Sequence, residues 1–160
     1  MFKLNHPWLA TLNGFIWLSV GIGLGGMGLN FIVASILQQN LNHLHRPILD
    51  PLSSLAGGMD QAALFLIGFC LLVGFAKGHF VLRKAVERGV NHIRSLPNPA
   101  SISQLYAKKY YLLLGVMVLL GVGLRFTSLD IRGAVDLAVG TALIRGACSY
   151  FNAARSLENS

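Results

Sequence analysis

Charge is scarce in this chain. Six acidic and thirteen basic residues among 160 make up 12% of the positions, against roughly 25% in an ordinary soluble domain, which argues against a soluble globular protein. Cysteine is nearly absent: Cys70 and Cys148 both lie inside apolar runs with no C-x-x-C or histidine-spaced partner, so neither a disulfide framework nor a metal site is expected. Paired carboxylates and serine–histidine clusters are missing too. His79 and His92 stand without a nucleophile, and no enzymatic activity is expected. A G-x-G-x-x-G match at Gly21–Gly26 follows no strand and has no acidic residue about 20 positions on, so no nucleotide cofactor is implied.

What is abundant is apolar: 54% of the residues are hydrophobic, and the 18 glycines sit mostly inside hydrophobic runs, where spanning helices tolerate them. A hydrocarbon core about 30 Å thick takes ~20 apolar residues per helix. Four runs meet that length, at about 12–36, 61–82, 110–129 and 131–153. The expected fold is all-α, a polytopic membrane protein with four transmembrane helices in one bundle. Val33-Ala34-Ser35 would serve as a signal-peptidase site, but the first run exceeds the ~7–15 residues of a signal core, and it reads as a retained span.

Charge distribution gives an orientation. From Lys77 to Lys109 lie seven of the thirteen basic residues, opposed by Glu87 alone, whereas the other connections nearly balance. By the positive-inside rule both termini and this basic connection are cytoplasmic, as suits a bacterial inner membrane. Trp8, Tyr106, Tyr110, Tyr111 and Tyr150 fall near the same boundary, where interfacial aromatics collect. Basic residues beside hydrophobic segments point to anionic lipid headgroups as partners, not nucleic acid.

The second span continues as an amphipathic helix. Leu82, Val86, Val90 and Ile93 share one stripe, and Arg83, Lys84, Arg88 and Arg94 form the opposite, basic cytoplasmic face. Pro97-Asn98-Pro99 should stop it. Residues 38–59, with Pro47, Pro51 and Gly57-Gly58, read as a cap over the other end of the bundle; His43, His45 and Asp50 there are too few for a metal site.

An internal echo, Gly26-Met27-Gly28-Leu29-Asn30-Phe31 against Gly121-Val122-Gly123-Leu124-Arg125-Phe126, with Lys77-Gly78 against Arg145-Gly146, suggests two parallel hairpin repeats at 12–82 and 110–153. Gly21, Gly25 and Gly28 form one expected helix-packing face, Gly74 and Gly78 a second, and Gly133 and Gly140 a third. Charges inside apolar runs cost about 3 kcal/mol even on lenient scales, so they are usually paired or functional. Arg125, Arg132 and Asp136 make an intramembrane polar cluster, and Lys77 and Arg145 converge as a site for an anion or a lipid phosphate. The function these features suggest is that of a small interaction, assembly or lipid-contacting membrane component, with a membrane-protein partner or a second copy. The alternative is a homo-oligomeric channel or transporter for a small anion.

Overall fold

The computed structural model describes residues 3–37, 45–95, 100–101, 119 and 121–158. The described chain is helical apart from one two-residue antiparallel pairing, β1 (Lys3–Leu4) with β2 (Ala100–Ser101). Helix α1 spans His6–Leu37, α2 Leu49–Ala56, α3 Met59–Lys77, α4 Arg83–Ser95 and α5 Leu129–Glu158. A π-helical turn, Gly78–Leu82, joins α3 to α4. Among the described residues two helices are long and apolar enough to cross a membrane, His6–Leu37 and the continuous Met59–Ser95. Most of the expected third span, 110–129, lies outside the described residues, which hold a helical turn of it at 121–124, so the repeat of 12–82 in 110–153 is described only in its second helix, α5.

Helix α5 is the centre of the bundle, and its two faces meet α1 and α3 by different rules. Along α1, Gly14, Gly21 and Gly28 recur every seven residues, as Gly133, Gly140, Ala147 and Ala154 do along α5. A strict seven-residue repeat drifts only ~20° per step from a straight helix, so one seam can follow both helices for their whole length. The two run antiparallel with backbone against backbone. A Cβ on Gly140 would stand 2.7 Å from the Gly21 carbonyl oxygen, one on Gly133 2.8 Å from that of Gly28, and one on Gly146 2.9 Å from the Trp17 ring. Gly25 belongs to this contact through its backbone nitrogen and Cα, since a Cβ there would meet nothing within 4 Å. The seam therefore follows the heptad through Gly21 and Gly28, not the four-residue Gly21/Gly25 spacing.

Against α3 the rule is four residues. Gly74 receives Ala138 and Thr141, and Gly78 receives Ala142 and the Cβ of Arg145, so α3 and α5 run parallel. A four-residue step overshoots a helical turn by ~40°. The π-turn holds more residues per turn and takes back about one such step. The contact stripe Leu66, Cys70, Gly74, Gly78 thus continues into Val86, Val90 and Ile93, all buried.

Both ends of the bundle are closed by apolar clusters. At one, Leu9 and Ala10 of α1 meet Ile93 of α4 and Ala154 of α5, so the start of α1 and the ends of α4 and α5 lie together. The amphipathic stripe of α4 is covered by these helices. Tyr150, expected at an interface, is instead fully buried: Val86 and Val90 fold over it, and Trp17 meets it edge-on at 5.4 Å. Trp8 remains exposed. At the opposite end Leu49 of α2 is buried among Ile32, Ala62, Ala63, Ala134 and Leu137, so the short helix caps α1, α3 and α5. It ends at Gly57, whose φ of 83° is left-handed and whose N–H donates to the Ser53 carbonyl at 3.1 Å, a conformation glycine adopts without steric penalty.

Candidate functional site

The sequence-marked charges separate into two groups, one at each end of α5. At the capped end, Arg132 lies 3.9 Å from Asp136 with its guanidinium 4.1 Å over the Phe31 ring, which ties α5 to α1. Arg125 does not join them. It is exposed in the turn after 121–124, where its N–H donates to the Val122 carbonyl. The expected trio is thus a pair with an aromatic lid.

A different carboxylate organises this end. Asp130 is fully buried: Oδ2 accepts the N–H groups of Ile48 at 2.8 Å and Leu49 at 3.2 Å, and Oδ1 accepts that of Ile131 at 2.9 Å. The first N–H groups of a helix have no partner within it, and Asp130 supplies one to α2 from 82 positions away. Burial alone would raise its carboxyl; the Ser128 hydroxyl and the three N–H groups outweigh that and hold it below the usual carboxylate range. Sequence reasoning counted Asp130 only as a loop charge. The signal present was Ser128-Leu129-Asp130 at a helix start, a pattern rich in capping residues.

At the other end Gly78 brings α3 against Arg145. Lys77, one residue earlier, is exposed and does not line the space beside Arg145. That space is a groove of about 490 Å³ between α4 and α5. Along α5 its wall is Arg145, Ser149, Asn152 and Ser156; along α4 it is Arg83, Glu87, Asn91 and Arg94, with His79 at the inner end. Both sets recur at helical spacing, so two polar stripes face each other. Glu87, the only acidic residue among the described lining residues, is engaged by Arg83 at 2.9 Å. Lys84 and Arg88 of the expected basic face are exposed outside the groove.

The Arg145 guanidinium lies 5.5 Å from the Phe75 ring, a distance at which a cation is attracted to an aromatic face. Its Nε is buried and has no hydrogen-bond partner among the described residues. The Nε of Arg46 shares that property, but Arg46 borders residues 38–44, which are not described. The described lining of the Arg145 groove comes from α4, α5 and the π-helical turn between α3 and α4. Chemically it is a cationic slot with amide donors, suited to hold an anion.

No protein family, curated protein or solved structure matches the chain.

Proposed function

We propose that the protein is a multi-pass membrane component that acts through interaction or assembly, with four spans and both termini on the cytoplasmic side. The observation that carries this reading is the change of surface along Met59–Ser95. Leu64, Phe65, Phe69, Leu72, Phe75, Phe80 and Val81 are large, apolar and exposed. From Arg83 onward the exposed positions become Arg83, Lys84, Glu87, Arg88, Asn91 and Arg94. A helix with such a surface suits lipid along its first part and an aqueous, anionic neighbourhood along its last. Backbone-to-backbone packing of α1 on α5 favours a fixed scaffold presenting that basic face over a conduit between those helices.

Native mass spectrometry of the full chain, extracted gently from membranes, tests the reading. A different polypeptide in fixed ratio, lost when Arg83, Lys84 and Arg88 are together replaced by Gln, is the expected result. A homo-oligomer that instead carries anion flux in liposomes, abolished by Lys77→Gln or Arg145→Gln, would replace it with the transport reading.

A further inference from the structure

We propose that the α4–α5 groove is a binding site for one phosphate group, carried by an anionic phospholipid headgroup, with Arg145 as its anchoring cation. The inference rests on the membrane reading above and assigns its lipid contact to one place.

Charge comes first. Among the described residues the groove holds three arginines and one glutamate, and the Arg83–Glu87 pair at 2.9 Å removes one of each. Arg145 and Arg94 are left without a carboxylate partner among the described residues. Desolvating a guanidinium nitrogen without a hydrogen bond is costly, and the Nε of Arg145 is in that condition. A phosphate oxygen meets the need, because guanidinium N–H donors match its geometry and charge. Asn91 and Asn152 place neutral amide donors on the two facing walls.

Size and position choose the carrier. A volume of about 490 Å³ falls in the range of small-ligand sites and is too small to seat a folded partner or a duplex. The inner end, at His79 and Arg145, lies where the exposed surface of the long helix turns from Phe75, Phe80 and Val81 to Arg83 and Lys84. A phosphate beside Arg145 would therefore leave any attached acyl chains running along exposed aromatic and aliphatic side chains. Free phosphate shares the headgroup's charge but uses none of that apolar surface.

The test titrates the full-length protein, in neutral detergent, with dioctanoyl phosphatidylglycerol, dioctanoyl phosphatidylcholine or inorganic phosphate, read by native mass spectrometry and calorimetry. The expected result is saturable binding of one phosphatidylglycerol, preferred over phosphatidylcholine, and weakened at least about tenfold in Arg145→Gln. Arg94→Gln, at an exposed position, should weaken it about threefold without touching the fold, and Arg125→Gln at the opposite end should leave it unchanged. Inorganic phosphate binding as tightly as the lipid, with the same arginine dependence, would overturn the lipid source and identify a free-anion site. Binding of several lipids without headgroup preference, or binding indifferent to both Arg145 and Arg94, would overturn the site itself. Whether the chain stays with alkaline-washed membranes is read separately, so loss of the membrane reading and loss of the groove are distinguishable.

Discussion

Two charges mark the two ends of α5, Asp130 fully buried and Arg145 half-buried with its Nε shielded from solvent, and they are treated in opposite ways. Asp130 is surrounded by donors: three backbone N–H groups turn toward it, and through those of Ile48 and Leu49 it fastens α2 over the bundle. Arg145, about four turns along the same helix, has an aromatic ring on one side and an open groove on the other, and its Nε has no acceptor among the described residues. A buried charge whose hydrogen bonds are complete is a structural part, because removing it strands the groups that served it. A half-buried cation whose shielded nitrogen has no acceptor carries a desolvation cost that an added acceptor would offset. The capped end thus reads as architecture and the grooved end as a site.

The contrast depends on the seam that holds α5 in place, so the largest effect comes from breaking it. Gly140→Val would put a Cβ 2.7 Å from the Gly21 carbonyl oxygen and 2.5 Å from the Gly25 nitrogen, and backbone cannot move aside as a flexible side chain can. Both ends should be lost together, seen as failure to elute as a single species in fluorescence-detected size exclusion. Gly25→Ala is the matching control: its Cβ enters open space, and a helix interior gains about 0.5–1 kcal/mol from alanine over glycine, so normal elution with equal or higher melting temperature is expected.

Breaking only the capped end is the next largest change. Asp130→Ala strands the buried N–H of Leu49 and the half-buried N–H groups of Ile48 and Ile131, at about 1–3 kcal/mol for each one that finds no water. A net loss of roughly 3 kcal/mol would lower the melting temperature by roughly 6–12 °C. The exposed turn of α2 should become cleavable by protease at Leu55 while the groove keeps its ligand. If α2 stays protected, Asp130 is not its anchor.

Acid should reproduce part of that change. The Asp130 carboxyl is held below its ordinary value in the folded protein, so its contribution is complete above the unfolded value of about 3.9 and is lost as pH falls through the lower folded value. The melting temperatures of the wild type and Asp130→Asn should differ at neutral pH and approach each other well below pH 4. A gap that persists unchanged in acid would mean that the carboxyl's charge is not what α2 requires.

The amphipathic stripe of α4 was legible in the sequence because period and composition are local: Val86, Val90 and Ile93 were marked and are buried. The small-residue faces were legible as faces but not as partners. Gly21 and Gly25 share a four-residue spacing that any close-packed helix could use, and only the antiparallel alignment with Gly133 and Gly140 shows that the working repeat is seven. Asp130 was missed for a related reason. Its importance lies in N–H groups 81 and 82 positions away, and no local pattern carries that distance. Arg145 was marked by its depth, but its neighbour was expected to be Lys77. The π-turn sets the rotation between α3 and α4, and with it the α4 side chains that line the groove.

The smallest expected effect is also the one that most directly separates the two ends. Arg145→Met keeps an unbranched apolar stem beside Phe75 while removing a guanidinium whose Nε is buried and unbonded. Without ligand the substitution should change stability by no more than about 0.5–1 kcal/mol, and toward the more stable side, because replacing an uncompensated charge by a packed apolar group of similar size is neutral or favourable. With a saturating anionic ligand the order should reverse, since binding to the native state raises stability by about 2.7 kcal/mol at one hundred times the Kd, and only the wild type would gain it. Thermal melts of both proteins across a phosphatidylglycerol titration would then cross. Asp130 variants should stay below the wild type by the same margin throughout that titration. Parallel, uncrossed curves for Arg145→Met would make Arg145 another structural charge like Asp130 and dissolve the distinction between the two ends.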